Sequence, residues 1–174
     1  MKKIFDKLQI ATIFLGILVI IIFMVPRLFG IIPFIVLSGS MEKEIKTGAI
    51  AYVNTNYKRE NIQVGDIIAF TSGNAQVTHR VVSINEDNTY TTKGDANENV
   101  DFKNVKFGDY KGKTIFSIPY LGYIVSFIQT KNGYLIIFAL VLLNLAYIIF
   151  SKDDETKKIK DTKKNKQMKE GNKI

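Results

Sequence analysis

Val77-Thr78-His79-Arg80-Val81-Val82-Ser83-Ile84, then Asn85-Glu86-Asp87-Asn88, then Thr89-Tyr90-Thr91-Thr92-Lys93, reads as strand, turn and strand. Apolar and polar residues alternate through 77–84, the period of a strand with one face buried. The four polar residues at 85–88 form a hairpin turn, and residues 89–93 resume the strand. Working backward, Ser72-Gly73-Asn74 marks another turn, residues 67–70 a short strand behind the turn at Gly65-Asp66, and residues 49–53 a further strand. Short strands with polar turns between about residue 38 and residue 113 predict a compact, mainly β domain.

Outward from that domain the composition changes. No charged residue lies between Lys7 and Arg27, nor between Lys131 and Lys152. Each window is close to the ~20 residues that cross ~30 Å of hydrocarbon as a helix, and a helix is required because lipid offers the backbone no hydrogen-bond partners. A cleavable signal peptide competes for the first window. Its apolar core is long for that role, and Val25-Pro26-Arg27-Leu28-Phe29 offers no small-x-small cleavage site. The expected organisation is a cytoplasmic N-terminus (1–7), a transmembrane anchor (8–29), an extracytoplasmic domain (30–131), a second transmembrane helix (132–151) and a basic, disordered cytoplasmic tail (152–174). Residues 29–37 are apolar but broken by Gly30 and Pro33, so an extended segment at the membrane surface is expected there. Residues 115–128, interrupted by Ser117, Pro119, Gly122 and Ser126, read as a surface-lying or partly buried lead into the second span.

Charge sets the orientation. The formal net charge is +8 across 174 residues. Residues 1–7 hold three lysines against one aspartate, and the tail after Phe150 holds nine lysines against five acids. Basic flanks stay on the cytoplasmic side, so both tails are expected inside and the β domain outside. The excess positive charge therefore belongs to tails that face an anionic leaflet, with the lipid bilayer as partner and no nucleic acid. There is no cysteine and one histidine, which excludes disulfides and thiol chemistry and argues against a zinc site. No cofactor or metal is expected.

Peptide hydrolysis by a serine needs a base for the hydroxyl, a partner that orients the base, and donors aimed at the developing oxyanion. Ser38-Gly39-Ser40-Met41 is the serine candidate; Gly39 allows a sharp turn that exposes the next side chain, although Ser-Gly-Ser alone is a common loop tripeptide. His79 lies on the 77–84 strand, a rigid mount for a base suited to neutral pH, and Arg80 should point to the opposite face. Two carboxylates follow. Asp95 sits in the Gly94-Asp95-Ala96-Asn97 turn, where a carboxylate readily accepts backbone hydrogen bonds. Asp101 lies on a freer segment six residues on. Asp101 is expected to reach the imidazole and Asp95 to shape the loop or assist, with the reverse assignment open.

In combination these stretches resemble signal peptidase I. Ser38-Gly39-Ser40-Met41-Glu42 is similar to the family's nucleophile box, Gly65-Asp66-Ile67-Ile68-Ala69-Phe70 with Val77-Thr78-His79-Arg80-Val81-Val82 to its base-bearing strands, and Thr92-Lys93-Gly94-Asp95-Ala96-Asn97 through Asp101 to its acidic box. Ile118-Pro119-Tyr120-Leu121-Gly122 looks like its exit segment. Histidine where another branch has lysine points to the ER-type Ser/His branch, found also in archaea and Gram-positive bacteria. The resemblance covers roughly residues 10–150. It implies a signal-peptidase-like β fold between two transmembrane helices, in a serine endopeptidase of the cell membrane that cuts signal peptides from secretory or membrane preproteins after small residues. The secretion translocon is a candidate partner. Ser40 would be the nucleophile, His79 the general base and Asp101, with Asp95, the acidic residues; Ser38 would join the Ser40 N–H in binding the oxyanion. One departure is visible: Lys43 stands where the family often has proline.

Two rivals remain at this point. A non-catalytic two-span protein with an external β binding domain requires Ser40, His79 and Asp101 to be scattered in space. A Ser/Lys peptidase with Lys93 as base requires that lysine to be buried and neutral.

Overall fold

A computed structural model of the chain describes residues 2–149, with side chains from Asp6 onward. The expected basic tail 152–174 and the last residues of the second span lie outside the described residues. Two units are present, one holding residues 14–127, the other drawn from both ends of the chain, up to Ile13 and from Ile128.

Helix α1 (Lys2–Phe23) starts within the segment read as an N-terminal tail and ends before Pro26, which opens the single turn α2 (Val25–Leu28). Proline is tolerated in a first helical turn, where its missing N–H would lack an intrahelical acceptor anyway. The stretch from Asp6 to Leu28 and the helix α4 (Lys131–Ile149) are both long and apolar enough to span a membrane. Their large aliphatic side chains are exposed in the protein, as a lipid-facing helix requires.

The β domain is one antiparallel sheet of six strands: β1 (Ile31–Ile35), β2 (Ile50–Asn54), β3 (Ile67–Ser72), β4 (Ala75–Ile84), β5 (Tyr90–Lys93) and β6 (Tyr110–Ile118), in the order β1-β2-β6-β3-β4-β5. β2 lies inside the sheet, and Ile50, Ala51, Tyr52 and Val53 are all buried, the continuous apolar run of a strand covered on both faces. β1 is the edge next to it, with Pro33 opposite Tyr52; an edge position spares proline the ladder donation it cannot make. Residues 29–37, read as a loose surface segment, thus contribute a strand. So does the start of the 115–128 stretch, which closes β6, while its end forms the short helix α3 (Leu121–Ile128).

The hairpin between β3 and β4 turns on Gly73 and Asn74, with Gly73 at φ +60°. A two-residue hairpin needs that left-handed geometry to match the twist of its strands. Two apolar clusters anchor the domain. One joins Ile62, Ile68, Phe70, Val81, Tyr90 and Val105. The other joins Met41, Ile45, Ala49 and Ala51, packed by Val36 and Ile67, and seats the Ser40 turn.

Candidate active site

Ser40 lies in the turn between β1 and β2. Met41 beside it is buried, and the N–H groups of Glu44 and Ile45 both donate to the Met41 carbonyl. The Glu42 carboxylate closes the far side, accepting from the Thr47 N–H at 3.0 Å and the Thr47 hydroxyl at 2.6 Å. Those bonds, with Lys46 nearby, hold the Glu42 carboxyl below the ordinary carboxylate range. Glu42 and Thr47 therefore brace the turn in which Lys43 replaces a common proline. Gly39 is not in a left-handed conformation, and the nearest atom to a Cβ built there is 3.5 Å away. The sharp turn that glycine was expected to permit comes from the Met41 and Glu42 bonds instead.

His79 and Val81 point inward from β4. The His79 Nε2 lies 2.9 Å from Ser40 Oγ, and its Nδ1 lies 2.7 Å from Asp101 Oδ2. A carboxylate can only accept, so the proton belongs on Nδ1 and the Nε2 lone pair faces the serine hydroxyl. The side chains of His79 and Asp101 are 9% and 20% exposed, enough burial to strengthen charge interactions relative to water. Ser38 Oγ is 3.2 Å from Ser40 Oγ. Three of the predicted residues are thereby brought within hydrogen-bond reach, with Ser38 alongside; the scattered arrangement that a non-catalytic reading requires is absent.

Asp95 is elsewhere. Arg80, on the opposite face of β4, grips it through two parallel bonds, Nε to Oδ1 at 2.8 Å and Nη2 to Oδ2 at 2.6 Å, and reaches the Gly65 carbonyl with Nη1. The Asp95 bonds raise the Arg80 guanidinium's affinity for its proton. The Asp95 turn also holds the Ser40 backbone: the Ala96 N–H donates to the Ser40 carbonyl at 2.8 Å. Lys93 points its Nζ at the Glu98 carbonyl, 2.9 Å away, in an exposed bond, not the buried setting a Ser/Lys base needs.

Asp101 is not on a free segment. Its N–H donates to the Thr92 carbonyl at 2.8 Å, and the Thr92 hydroxyl lies 2.5 Å from its Oδ2. A threonine in a β-strand carries no local signal of such a contact.

An open cleft of about 570 Å³ runs along the serine, lined by residues 34–38 on one side and by residues 75–79 on the other, with Ser40 and Met41 between them. Its walls are strand backbone and mostly apolar side chains. No group of three or more His, Asp or Glu residues suited to a metal ion occurs among the described residues.

Comparison with known proteins points to a family. The protein named "Signal peptidase I W" of Bacillus subtilis (strain 168) is 36% identical over 99 residues, a match that covers 54% of this chain and 52% of that protein. The chain thus spans about half the length of the curated relative it matches. A family model described as "Signal peptidase, peptidase S26" matches residues 9–110, a stretch that contains Ser40, His79 and Asp101. With more than half of its residues matched, the chain belongs to the signal peptidase S26 family.

Proposed function

We propose that the chain is a membrane-bound serine endopeptidase that removes N-terminal signal peptides from secreted preproteins. The observation that carries this reading is the continuous hydrogen-bonded line Ser40–His79–Asp101, at 2.9 and 2.7 Å. A neutral His79 takes the Ser40 proton on Nε2 as Oγ attacks the scissile carbonyl. Asp101 holds the ring in the tautomer that leaves Nε2 free and stabilises the imidazolium that forms. The oxyanion settles between the Ser40 N–H and the Ser38 hydroxyl, donors already in place before charge develops. His79 then gives its proton to the departing amine. A water, deprotonated by the same Nε2, attacks the acyl-serine, and His79 returns that proton to Ser40 Oγ as the acyl bond breaks and the new carboxylate leaves.

The cleft beside Ser40 accounts for the substrate. An extended peptide fits between residues 34–38 and 75–79 by adding a strand, with main-chain bonds for affinity. A preference for small residues at the first and third positions before the cut is part of this reading, as the resemblance to signal peptidase I implies. The two apolar helices are long enough to anchor the enzyme, and the lysine-rich ends favour both tails in the cytoplasm and the sheet outside. Precursors emerging from a secretion translocon would meet the site there. Protease added to right-side-out vesicles should cut the β domain and spare the tails; digestion of the lysine-rich tail from outside would reverse the orientation.

The substrate claim is tested by incubating the full chain in lipid bilayers with a signal-bearing precursor and sequencing the product. The expected product begins immediately after a small residue at the end of the signal segment. An intact precursor, or cuts spread through the mature part, would overturn the reading.

A further inference from the structure

The Asp101 oxygen that faces His79 receives a second donor. Thr92 Oγ1 is 2.5 Å from Asp101 Oδ2, and the Asp101 N–H returns a bond to the Thr92 carbonyl at 2.8 Å. Thr92 is wholly buried, and a hydroxyl removed from water is costly unless it finds a partner. The sheet decides which partner. Thr92 lies opposite Val81 in the β4–β5 pairing, and Val81 shares its face with His79, two residues away on β4. The register therefore delivers the Thr92 hydroxyl to the place where the imidazole meets its carboxylate. Two donors from two strands, His79 Nδ1–H and Thr92 O–H, converge on one oxygen carried by the loop after β5.

We propose that Thr92 is a positioning residue: its buried hydroxyl fixes Asp101 Oδ2 in line with His79 Nδ1, and so keeps the His79 proton on Nδ1 and its Nε2 open to Ser40. The inference rests on the peptidase reading above. Without that hydroxyl the carboxylate retains His79 as its side-chain donor and is free to turn about its own axis.

The test compares Thr92→Val, which keeps the shape and loses the hydroxyl, with Thr92→Ser, which keeps the hydroxyl and loses a methyl. Both are made in the full chain in lipid bilayers and assayed on a synthetic signal peptide with alanine at the first and third positions before the cut. Thr92→Val is expected to lower kcat roughly 10- to 100-fold, the effect of losing one charge-assisted hydrogen bond, with KM unchanged. Thr92→Ser should keep most of kcat. A role in packing alone predicts the reverse order, and that result would overturn the proposal. The second readout needs no substrate. The chain has one histidine, so nitrogen-15 histidine labelling reports His79 alone. The native chain and Thr92→Ser should show a proton fixed on Nδ1, whereas Thr92→Val and Thr92→Ala should show it shared between the two nitrogens; an unchanged spectrum in both hydroxyl-free variants would sink the proposal. If the native chain leaves the peptide intact, the peptidase reading fails, while the histidine spectrum still decides whether Thr92 sets the His79–Asp101 arrangement.

Discussion

A Cβ added at Gly94 would lie 2.6 Å from the carbonyl oxygen of Ser40, closer than side-chain carbons approach a backbone oxygen. The same oxygen accepts the Ala96 N–H at 2.8 Å. The acidic turn and the Ser40 turn are thus seated directly on one another, and only a residue without a side chain lets them meet. Gly94→Ala is expected to force the two turns apart, with an overpacking cost of about 1–3 kcal/mol and a loss of turnover as the Ser40 hydroxyl shifts from His79. Gly108→Ala is the control, since nothing lies within 4 Å of a Cβ there. Thermal melts and kcat measured side by side check this; a Gly94→Ala enzyme with native melt and native kcat would show that the turns are not coupled.

The two carboxylates of the acidic segment have different partners, so their amides should fail differently. Asp101→Asn replaces the acceptor for His79 Nδ1–H with a group that favours the wrong tautomer, a change that in serine triads costs up to ~10⁴ in turnover. Its melt should stay close to native. Asp95→Asn breaks one arm of the fork from Arg80, where losing a charge-assisted bond costs about 1.5–3 kcal/mol. Its melting temperature should drop visibly, with a smaller loss of kcat. An active Asp101→Asn beside a well-folded but inactive Asp95→Asn would reverse the assignment.

Glu42 predicts a pH signature in the Ser40 turn. Its carboxyl is held below the ordinary range by the Thr47 hydroxyl and N–H, then by Lys46. A carboxylate whose folded value is depressed stabilises the fold above its unfolded value of ~4.3 and loses that contribution as pH falls through the folded value. The stability gap between the native chain and Glu42→Gln should therefore be open at neutral pH and narrow on acidification below ~4.3. Because the Glu42 side chain is about half exposed, the gap should also shrink with added salt. Melts of both proteins across pH check it, and a gap that widens in acid would contradict the sign.

Much of the sheet is written locally. The alternation of residues 77–84 and the polar turn at 85–88 become β4 and its hairpin, with Asn88 in the left-handed conformation that asparagine tolerates. β6 was not legible, because Lys111, Gly112 and Lys113 interrupt any apolar period. Its place between β2 and β3 comes from long-range pairing, and Lys113 is accommodated by an ion pair with Asp66 at 2.7 Å. β1 was obscured by Gly30 just before it and by Pro33 within it, which is acceptable in an edge strand but looks like a break in the sequence. For the site, residue type and order pointed to Ser40, His79 and two carboxylates. Which carboxylate meets the imidazole depends on strand register, where the side of β4 decides that Arg80 takes Asp95. The tie between Asp101 and Thr92 likewise depends on register, and no local pattern announces it.

The central claim is that Ser40, activated by His79, carries the bond-breaking step. Its most direct test is cleavage of a signal-bearing precursor by the full chain in lipid bilayers, native against Ser40→Ala, with both melts recorded. Ser40 sits in a turn held by Met41, Glu42 and the Gly94 turn, so removing its hydroxyl should leave the melt intact while cleavage falls to the uncatalysed background. A Ser40→Ala protein that folds like the native chain and still processes the precursor at the native rate would contradict the account.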